Sequence, residues 1–84
     1  MSSRARKLIK SVHSTEHAEF CAEMISARKK AGLTQQALAS RLKRPQSFVA
    51  KYENGERRLD VIEFLTIAKA VGADPLRLIK RLIR

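Results

Sequence analysis

Apolar residues recur at three- and four-residue spacing through most of this chain, which is the periodicity of helices that pack against a shared core. The first such stretch carries Phe20, Met24, Ala27 and Ala31. No stretch alternates strictly between apolar and polar positions, as a half-buried strand does. The pattern therefore predicts an all-α protein, a compact bundle of about five helices, and a chain of 84 residues has room for one small domain.

Capping residues delimit the first two predicted helices. Ser14 or Thr15 is a suitable N-cap for the first helix, and Gly32 is suited to the position just beyond its end. Thr34 is the predicted N-cap of the second helix.

The turn between the second and third helices is predicted at Lys43 and Arg44. Two helices joined by so short a turn often have a glycine there, because one residue needs a positive φ. With Lys43 in that place, we expect a turn that is strained or built differently. Pro45 is predicted as the first residue of the third helix, where its missing N–H costs nothing, and Asn54 and Gly55 are predicted to end that helix.

The fourth predicted helix begins with a capping box formed by Asp60 and Glu63, and Gly72 stops it after about Val71. Asp74 and Pro75 are an N-cap followed by a proline at the first helical position. The fifth helix is predicted to run from there to about residue 83.

The fifth helix has more apolar residues than one core-facing stripe requires. We expect Leu76, Ile79 and Ile83 to face the core, with Leu78 and Leu82 on another side. In so small a protein, a second apolar stripe favours contact with another copy of the chain and hence a homodimer. The alternative is one broad core face.

The chain carries 18 Lys and Arg against 8 Asp and Glu, a formal net charge of +10. Such an excess favours a polyanionic partner, which can be nucleic acid, an acidic membrane surface or an acidic protein. Residues 1–15 contain four Arg and Lys residues and no Asp or Glu. We interpret 1–15 as a basic N-terminal arm and 16–84 as the folded domain.

Several classes of protein are disfavoured. Cys21 is the only cysteine, so no intrachain disulfide can form, which favours a cytoplasmic protein. No apolar run is long enough to cross a bilayer. His13, His17 and Cys21 follow one another at four-residue spacing, but no fourth ligand lies near them. No catalytic constellation or glycine-rich phosphate loop is present. We expect no enzyme activity, no cofactor, no metal and no membrane partner.

Three segments carry a resemblance to a known family. They read RKKAGLTQQALA at 28–39, QSFVAKYENG at 46–55 and LTIAKAVG at 65–72. In order and spacing they resemble the phage repressor and Cro type of helix-turn-helix domain, the xenobiotic-response-element family of bacterial regulators. The resemblance covers roughly residues 20–83 and implies a lambda-repressor-like bundle in which the second helix rests on the DNA backbone and the third reads bases.

The resemblance also assigns roles to residues. Gln35 matches a phosphate-binding glutamine at the start of the second helix, and Arg28 and Glu53 match an internal salt bridge. The outward positions of the third helix and the loop after it match DNA contacts. The matched positions are Gln35, Gln46, Ser47, Lys51, Asn54, Arg57 and Arg58. Arg44 and Ala50 join them as candidate DNA-binding residues on their own chemistry, as a cation for phosphate and a methyl group for thymine.

The chemistry of the outward face agrees with base contact. Glutamine can pair with adenine through two hydrogen bonds, lysine can donate to guanine, and an alanine methyl can contact the methyl group of thymine. Gln46, Lys51 and Ala50 supply these three groups. Phe48 borders this face, and we expect it at the edge of the core, with a thymine methyl or a partner subunit as the alternatives.

These features predict sequence-specific binding of double-stranded DNA by a small transcriptional regulator. We expect a repressor that acts as a homodimer on a palindromic operator, with helix 45–54 in the major groove. One alternative is an antitoxin or controller protein that binds its own operator and a protein partner. Another is a basic helical adaptor that binds proteins without recognising a DNA sequence.

Overall fold

Five helices follow one another along residues 14–83, the part of the chain that the computed structural model describes. Those residues contain no strand, so the predicted all-α class is confirmed. The predicted arm lies outside the described residues, except for its last two positions. The helices are α1 (Thr15–Lys30), α2 (Gln35–Leu42), α3 (Gln46–Glu53), α4 (Val61–Ala70) and α5 (Pro75–Lys80).

The predicted caps form where the sequence places them. The Ser14 hydroxyl accepts a hydrogen bond from the backbone N–H of His17 at the start of α1. The Thr34 hydroxyl accepts one from the backbone N–H of Ala37 at the start of α2. Asp60 and Glu63 form a complete capping box, with each side chain accepting from the other residue's backbone N–H. A cap of this kind contributes about 1 kcal/mol to stability, so these contacts fix where the helices begin.

The core lies where α1, α2, α3 and α4 meet. Met24, Leu38 and Val49, from three different helices, have the largest fully buried side chains. Ala39 and Ala68 are also buried, and side chains this small allow the helix backbones to approach closely. The other members of the core cluster are Phe48, Tyr52, Phe64, Ile67 and Leu78.

The turn before α3 is built on a left-handed residue. Lys43 ends α2 with φ 56° and ψ 43°, which confirms that a positive φ is needed at this position. A non-glycine residue in that conformation costs about 1–2 kcal/mol. Pro45 was expected as the first helical residue, and this is wrong. Its ψ of 152° is extended, so Pro45 is the N-cap and α3 begins at Gln46.

The predicted faces of α5 are reversed in the structure. Leu78 is buried, whereas Leu76, Ile79 and Ile83 are exposed. The cap at Asp74 and Pro75 fixes where the helix begins, and packing against the other helices places Leu78 in the core. The helix also ends at Lys80 rather than near residue 83. Both stripes have helical spacing, so periodicity alone could not choose between them.

Candidate nucleic-acid interface

The third helix has one buried face and one exposed face. Val49 and Tyr52 are buried in the core, and their spacing is that of one side of a helix. Gln46, Ser47 and Lys51 are exposed. Ala50, predicted with them, is half-buried. The structure therefore brings the candidate base-contacting residues together on one side of α3.

A chain of hydrogen bonds connects this exposed face to the interior. Arg28 donates to Glu53 twice, from Nε to Oε2 over 2.7 Å and from Nη2 to Oε1 over 3.1 Å. Nε2 of Gln35 donates to Oε1 of Glu53 over 2.9 Å, and Nε2 of Gln46 donates to Oε1 of Gln35 over 2.8 Å. These hydrogen bonds thus connect α1 to the end of α3, then to the start of α2, and finally to the first residue of α3.

The buried pair in this chain confirms the predicted salt bridge. Two charge-assisted hydrogen bonds in parallel fix both distance and orientation, and the hydrogen bond to Glu53 raises the pKa of Arg28. Nη1 of Arg28 also donates to the carbonyl of Leu33 over 2.8 Å, which fixes the loop before α2. The hydrogen bond between Gln35 and Gln46 had no signal in the sequence, because it depends on how α2 and α3 pack.

A second cluster of charged groups lies over Phe48. The guanidinium carbons of Arg44 and Arg57 are 4.4 Å and 4.9 Å from the centroid of its ring, within the range of cation–π attraction. Arg57 donates to both carboxylate oxygens of Glu63, over 3.0 Å and 2.9 Å, and Arg44 donates to Oε2 over 3.3 Å. Phe48 is buried, so it belongs to the core, and its outer face is covered by the two arginines.

The electrostatics of this cluster favour the ionised carboxylate. The hydrogen bonds from Arg57, and next the one from the backbone N–H of Asp60, lower the pKa of Glu63 to about 2. The carboxylate in turn raises the pKa of Arg57. The structure therefore pairs two of the predicted DNA-binding arginines with a glutamate that the sequence identified only as part of a helix cap.

The remaining candidates lie at the end of α3 and in the loop beyond it. Asn54 is the exposed C-cap residue, and its Nδ2 donates to Glu56 over 3.4 Å. Arg58 is exposed, and its carbonyl accepts from Nη1 of Arg57 over 2.8 Å. These residues extend the polar surface beyond the helix.

Residues 14–83 give little support for a metal site or a membrane span. No group of three or more His, Cys, Asp and Glu in that range is arranged to hold a metal ion. Nε2 of His17 lies 3.8 Å from the sulfur of Cys21, and His13 falls outside the described residues. None of the helices described is long and apolar enough to cross a membrane.

Comparisons with known proteins place this fold in a family. A family model described as helix-turn-helix matches residues 24–78. Among solved structures, an XRE-family like protein from Pseudomonas syringae pv. tomato str. DC3000 is 46% identical, with a TM-score of 0.80 over 90% of this chain and 93% of that one. A search of curated proteins found no match.

Two restriction-modification controller proteins are also similar in structure. C.AhdI from Aeromonas hydrophila is 26% identical, with a TM-score of 0.70 over 77% of this chain and 98% of that one. A point mutant of C.Esp1396I is 20% identical, with a TM-score of 0.73 over 82% of this chain and 87% of that one, and it shares the fold. The chain belongs to the xenobiotic-response-element family of helix-turn-helix proteins, which are DNA-binding transcriptional regulators.

Proposed function

We propose that this regulator recognises a specific sequence of double-stranded DNA by placing α3 in the major groove. The observation that carries the proposal is the exposed polar face of α3, whose first residue is tied to the bundle through Gln35 and Glu53. A recognition helix must be held rigidly if small differences between base edges are to be read. Gln46, Ser47 and Lys51 are the proposed base-contacting residues, and Ala50 supplies apolar contact.

Gln46 is suited to adenine in the orientation that the structure gives it. One N–H of its amide is used by Gln35, which leaves a second N–H and the amide oxygen. Adenine presents an acceptor at N7 and a donor at N6 in the major groove, so the two remaining groups of Gln46 match it. The bond to Gln35 would therefore select the orientation of the amide before DNA arrives.

The proposed backbone contacts surround this face. Gln35 is the first residue of α2, where unpaired backbone N–H groups favour an anion, and we assign it to a phosphate. Arg44 precedes α3, and Asn54, Arg57 and Arg58 follow it. Contacts of this kind position a protein on the duplex without reading its sequence, and they make the affinity depend on salt.

We further propose that the regulator acts as a homodimer on a palindromic operator. Six large apolar side chains of α4, α5 and the segment after α5 are exposed, more than a small monomer needs to leave in water. They are Val61, Ile62, Leu65, Leu76, Ile79 and Ile83. Two copies joined there would each present one α3, which doubles the length of DNA that is read.

The dimer can be tested without disturbing the core. Leu76 is 78% exposed, so Leu76→Glu is expected to leave the fold intact and to shift sedimentation from dimer to monomer. Wild-type protein that sediments as a monomer at every concentration would exclude this part of the proposal.

Repression is the expected direction of regulation, because a protein bound over a promoter covers the DNA that transcription needs. The similarity to C.AhdI, a restriction-modification controller protein, favours a second candidate: a controller of a linked operon. Gel-shift assays with the DNA upstream of this chain's own gene separate the two. A controller of its own operon binds that DNA as tightly as any other site.

Sequence recognition itself is tested by selecting bound duplexes from a random pool and measuring gel shifts at several salt concentrations. We expect a repeated half-site to be enriched, with affinity that falls as salt rises. Equal affinity for all duplexes would refute sequence recognition and favour a basic adaptor instead.

A further inference from the structure

Glu63 is an unusual residue to find beside a proposed DNA-binding surface, because a carboxylate repels phosphate. Its side chain accepts hydrogen bonds from three residues. Oε1 accepts from Nη1 of Arg57 and from the backbone N–H of Asp60, each over 3.0 Å. Oε2 accepts from Nη2 of Arg57 over 2.9 Å and from Nη2 of Arg44 over 3.3 Å. Both arginines therefore contact one oxygen atom.

The carboxylate is itself held in place. Glu63 is in the first turn of α4, and its capping-box contact with Asp60 fixes the side chain against the backbone. Its side chain is 17% exposed, whereas those of Arg44 and Arg57 are 45% and 39% exposed. A fixed, largely covered acceptor thus anchors two longer and more exposed cations.

Phe48 supplies the third constraint on the arginines. Both guanidinium groups lie within 5 Å of the centre of its ring, and Phe48 belongs to α3, between Gln46 and Lys51. A free arginine side chain has several rotatable bonds and loses rotamer entropy when it is fixed. Here much of that loss is incurred during folding, before any DNA is bound.

We propose that Glu63 is a positioning residue for DNA recognition. It holds Arg44 and Arg57 against Phe48, so that their remaining N–H groups meet DNA phosphates in a fixed relation to the base-contacting face of α3. This inference rests on the proposed function, because it assumes that α3 reads bases and that the two arginines bind the backbone. A rigid pair of phosphate contacts admits α3 into the groove in one register, and this favours the correct sequence over others.

Simple electrostatics leads to a different expectation. If Glu63 only repelled DNA, its neutralisation would strengthen binding to every duplex by a similar factor. If Glu63 positions the arginines, neutralisation releases them. Binding to unrelated DNA then strengthens, while the preference for the selected sequence falls. The ratio of the two affinities distinguishes these roles.

The experiment compares Glu63→Gln with a matched control, Glu23→Gln. Glutamine retains the size of the side chain and is itself a capping-box residue, so α4 should still form. Glu23 pairs with Arg81 over 2.9 Å, away from α3, so its substitution changes the net charge equally. Dissociation constants are measured for a duplex selected by wild-type protein and for a scrambled duplex of the same length.

We expect Glu63→Gln to lower the ratio of selected to scrambled affinity by about tenfold, a typical coupling between residues of one network. Glu23→Gln should leave the ratio unchanged. In a background that carries Arg44→Ala and Arg57→Ala, Glu63→Gln should have no further effect on the ratio. Circular dichroism checks that each variant is folded.

A wild-type ratio retained in folded Glu63→Gln would overturn this inference and leave the proposed function standing. The inference would also be overturned if Glu63→Gln lowered the ratio of selected to scrambled affinity in the protein that already carries Arg44→Ala and Arg57→Ala. Wild-type protein that binds the selected and scrambled duplexes equally would overturn the proposed function itself, and this inference with it.

Discussion

Two clusters of arginine and glutamate flank α3, and they differ mainly in how much water reaches them. In the buried cluster, the side chains of Arg28 and Glu53 are 10% and 2% exposed. In the outer cluster, Glu63 pairs with Arg44 and Arg57, which are both more than a third exposed. The same chemical groups therefore serve different purposes. Burial makes the first cluster part of the fold, whereas exposure leaves the second available to a ligand.

The physical reason is the cost of removing charge from water. A buried ion pair must recover a large desolvation penalty through excellent geometry and further hydrogen bonds. Glu53 meets this requirement with two bonds from Arg28 and one from Gln35. An exposed pair incurs little penalty and contributes little stability. Arg44 and Arg57 therefore remain partly exposed, so DNA can reach the N–H groups that Glu63 does not use.

The largest expected effect comes from breaking the buried pair. Glu53→Ala leaves Arg28 buried without its partner, and this should lower the free energy of unfolding by about 3–5 kcal/mol. Urea denaturation measures the change. Glu56→Ala, in the exposed loop beyond α3, is the control and should change stability little. If the two variants were equally stable, burial could not be what separates the two clusters.

A smaller effect is expected from Tyr52, which lies next to Glu53. The Tyr52 hydroxyl is buried and has no hydrogen-bond partner among the described residues. Burial also raises the pKa of this side chain. Removing an unsatisfied buried hydroxyl relieves its desolvation cost, so Tyr52→Phe should raise the free energy of unfolding by about 1 kcal/mol. Thermal unfolding would detect it, and a lower melting temperature would show that the hydroxyl has a stabilising partner.

The outer cluster should affect stability through pH. The folded pKa of Glu63, about 2, lies below its ordinary value of 4.5. Its ionised form therefore stabilises the fold above pH 4.5, and this contribution is lost as the pH falls towards 2. The difference in stability between wild type and Glu63→Gln should be largest at neutral pH and disappear as the pH falls through 2. A difference that does not change with pH would mean that the carboxylate charge is irrelevant to the fold.

The smallest effect is expected from salt. Exposed charges are screened by added salt, whereas buried pairs are screened much less. The destabilisation caused by Glu63→Gln should therefore shrink in concentrated sodium chloride, while that caused by Glu53→Ala should persist. Urea denaturation at low and high salt compares them. Equal salt sensitivity would place both clusters in the same electrostatic environment.

Local signals were sufficient to predict much of this fold. Helix starts at Ser14, Thr34 and Asp60 follow from side chains that bind backbone groups three residues away. The α5 faces were predicted wrongly because Leu76 and Leu78 belong to two stripes of equal periodicity. Only the contact of the helix with the rest of the bundle decides which stripe is buried.

The site was predicted less completely than the fold. The exposed positions of α3 follow from its periodicity, and the pairing of Arg28 with Glu53 from the family resemblance. The links from Gln35 to Gln46 and from Arg44 to Glu63 join residues 11 and 19 positions apart, and the link from Arg57 to Glu63 joins the loop after α3 to the first turn of α4. No local pattern encodes such contacts, because they arise only once the helices have packed.

The most direct test of α3 as the recognition helix is a selection from random duplexes by three proteins: wild type, Lys51→Ala and Lys29→Ala. Both variants lose one positive charge from an exposed lysine, but Lys29 is on α1. Wild type and Lys29→Ala should enrich the same half-site, whereas Lys51→Ala should enrich a site altered at one or more positions. Identical enrichment by all three proteins would mean that the exposed face of α3 does not read the DNA sequence.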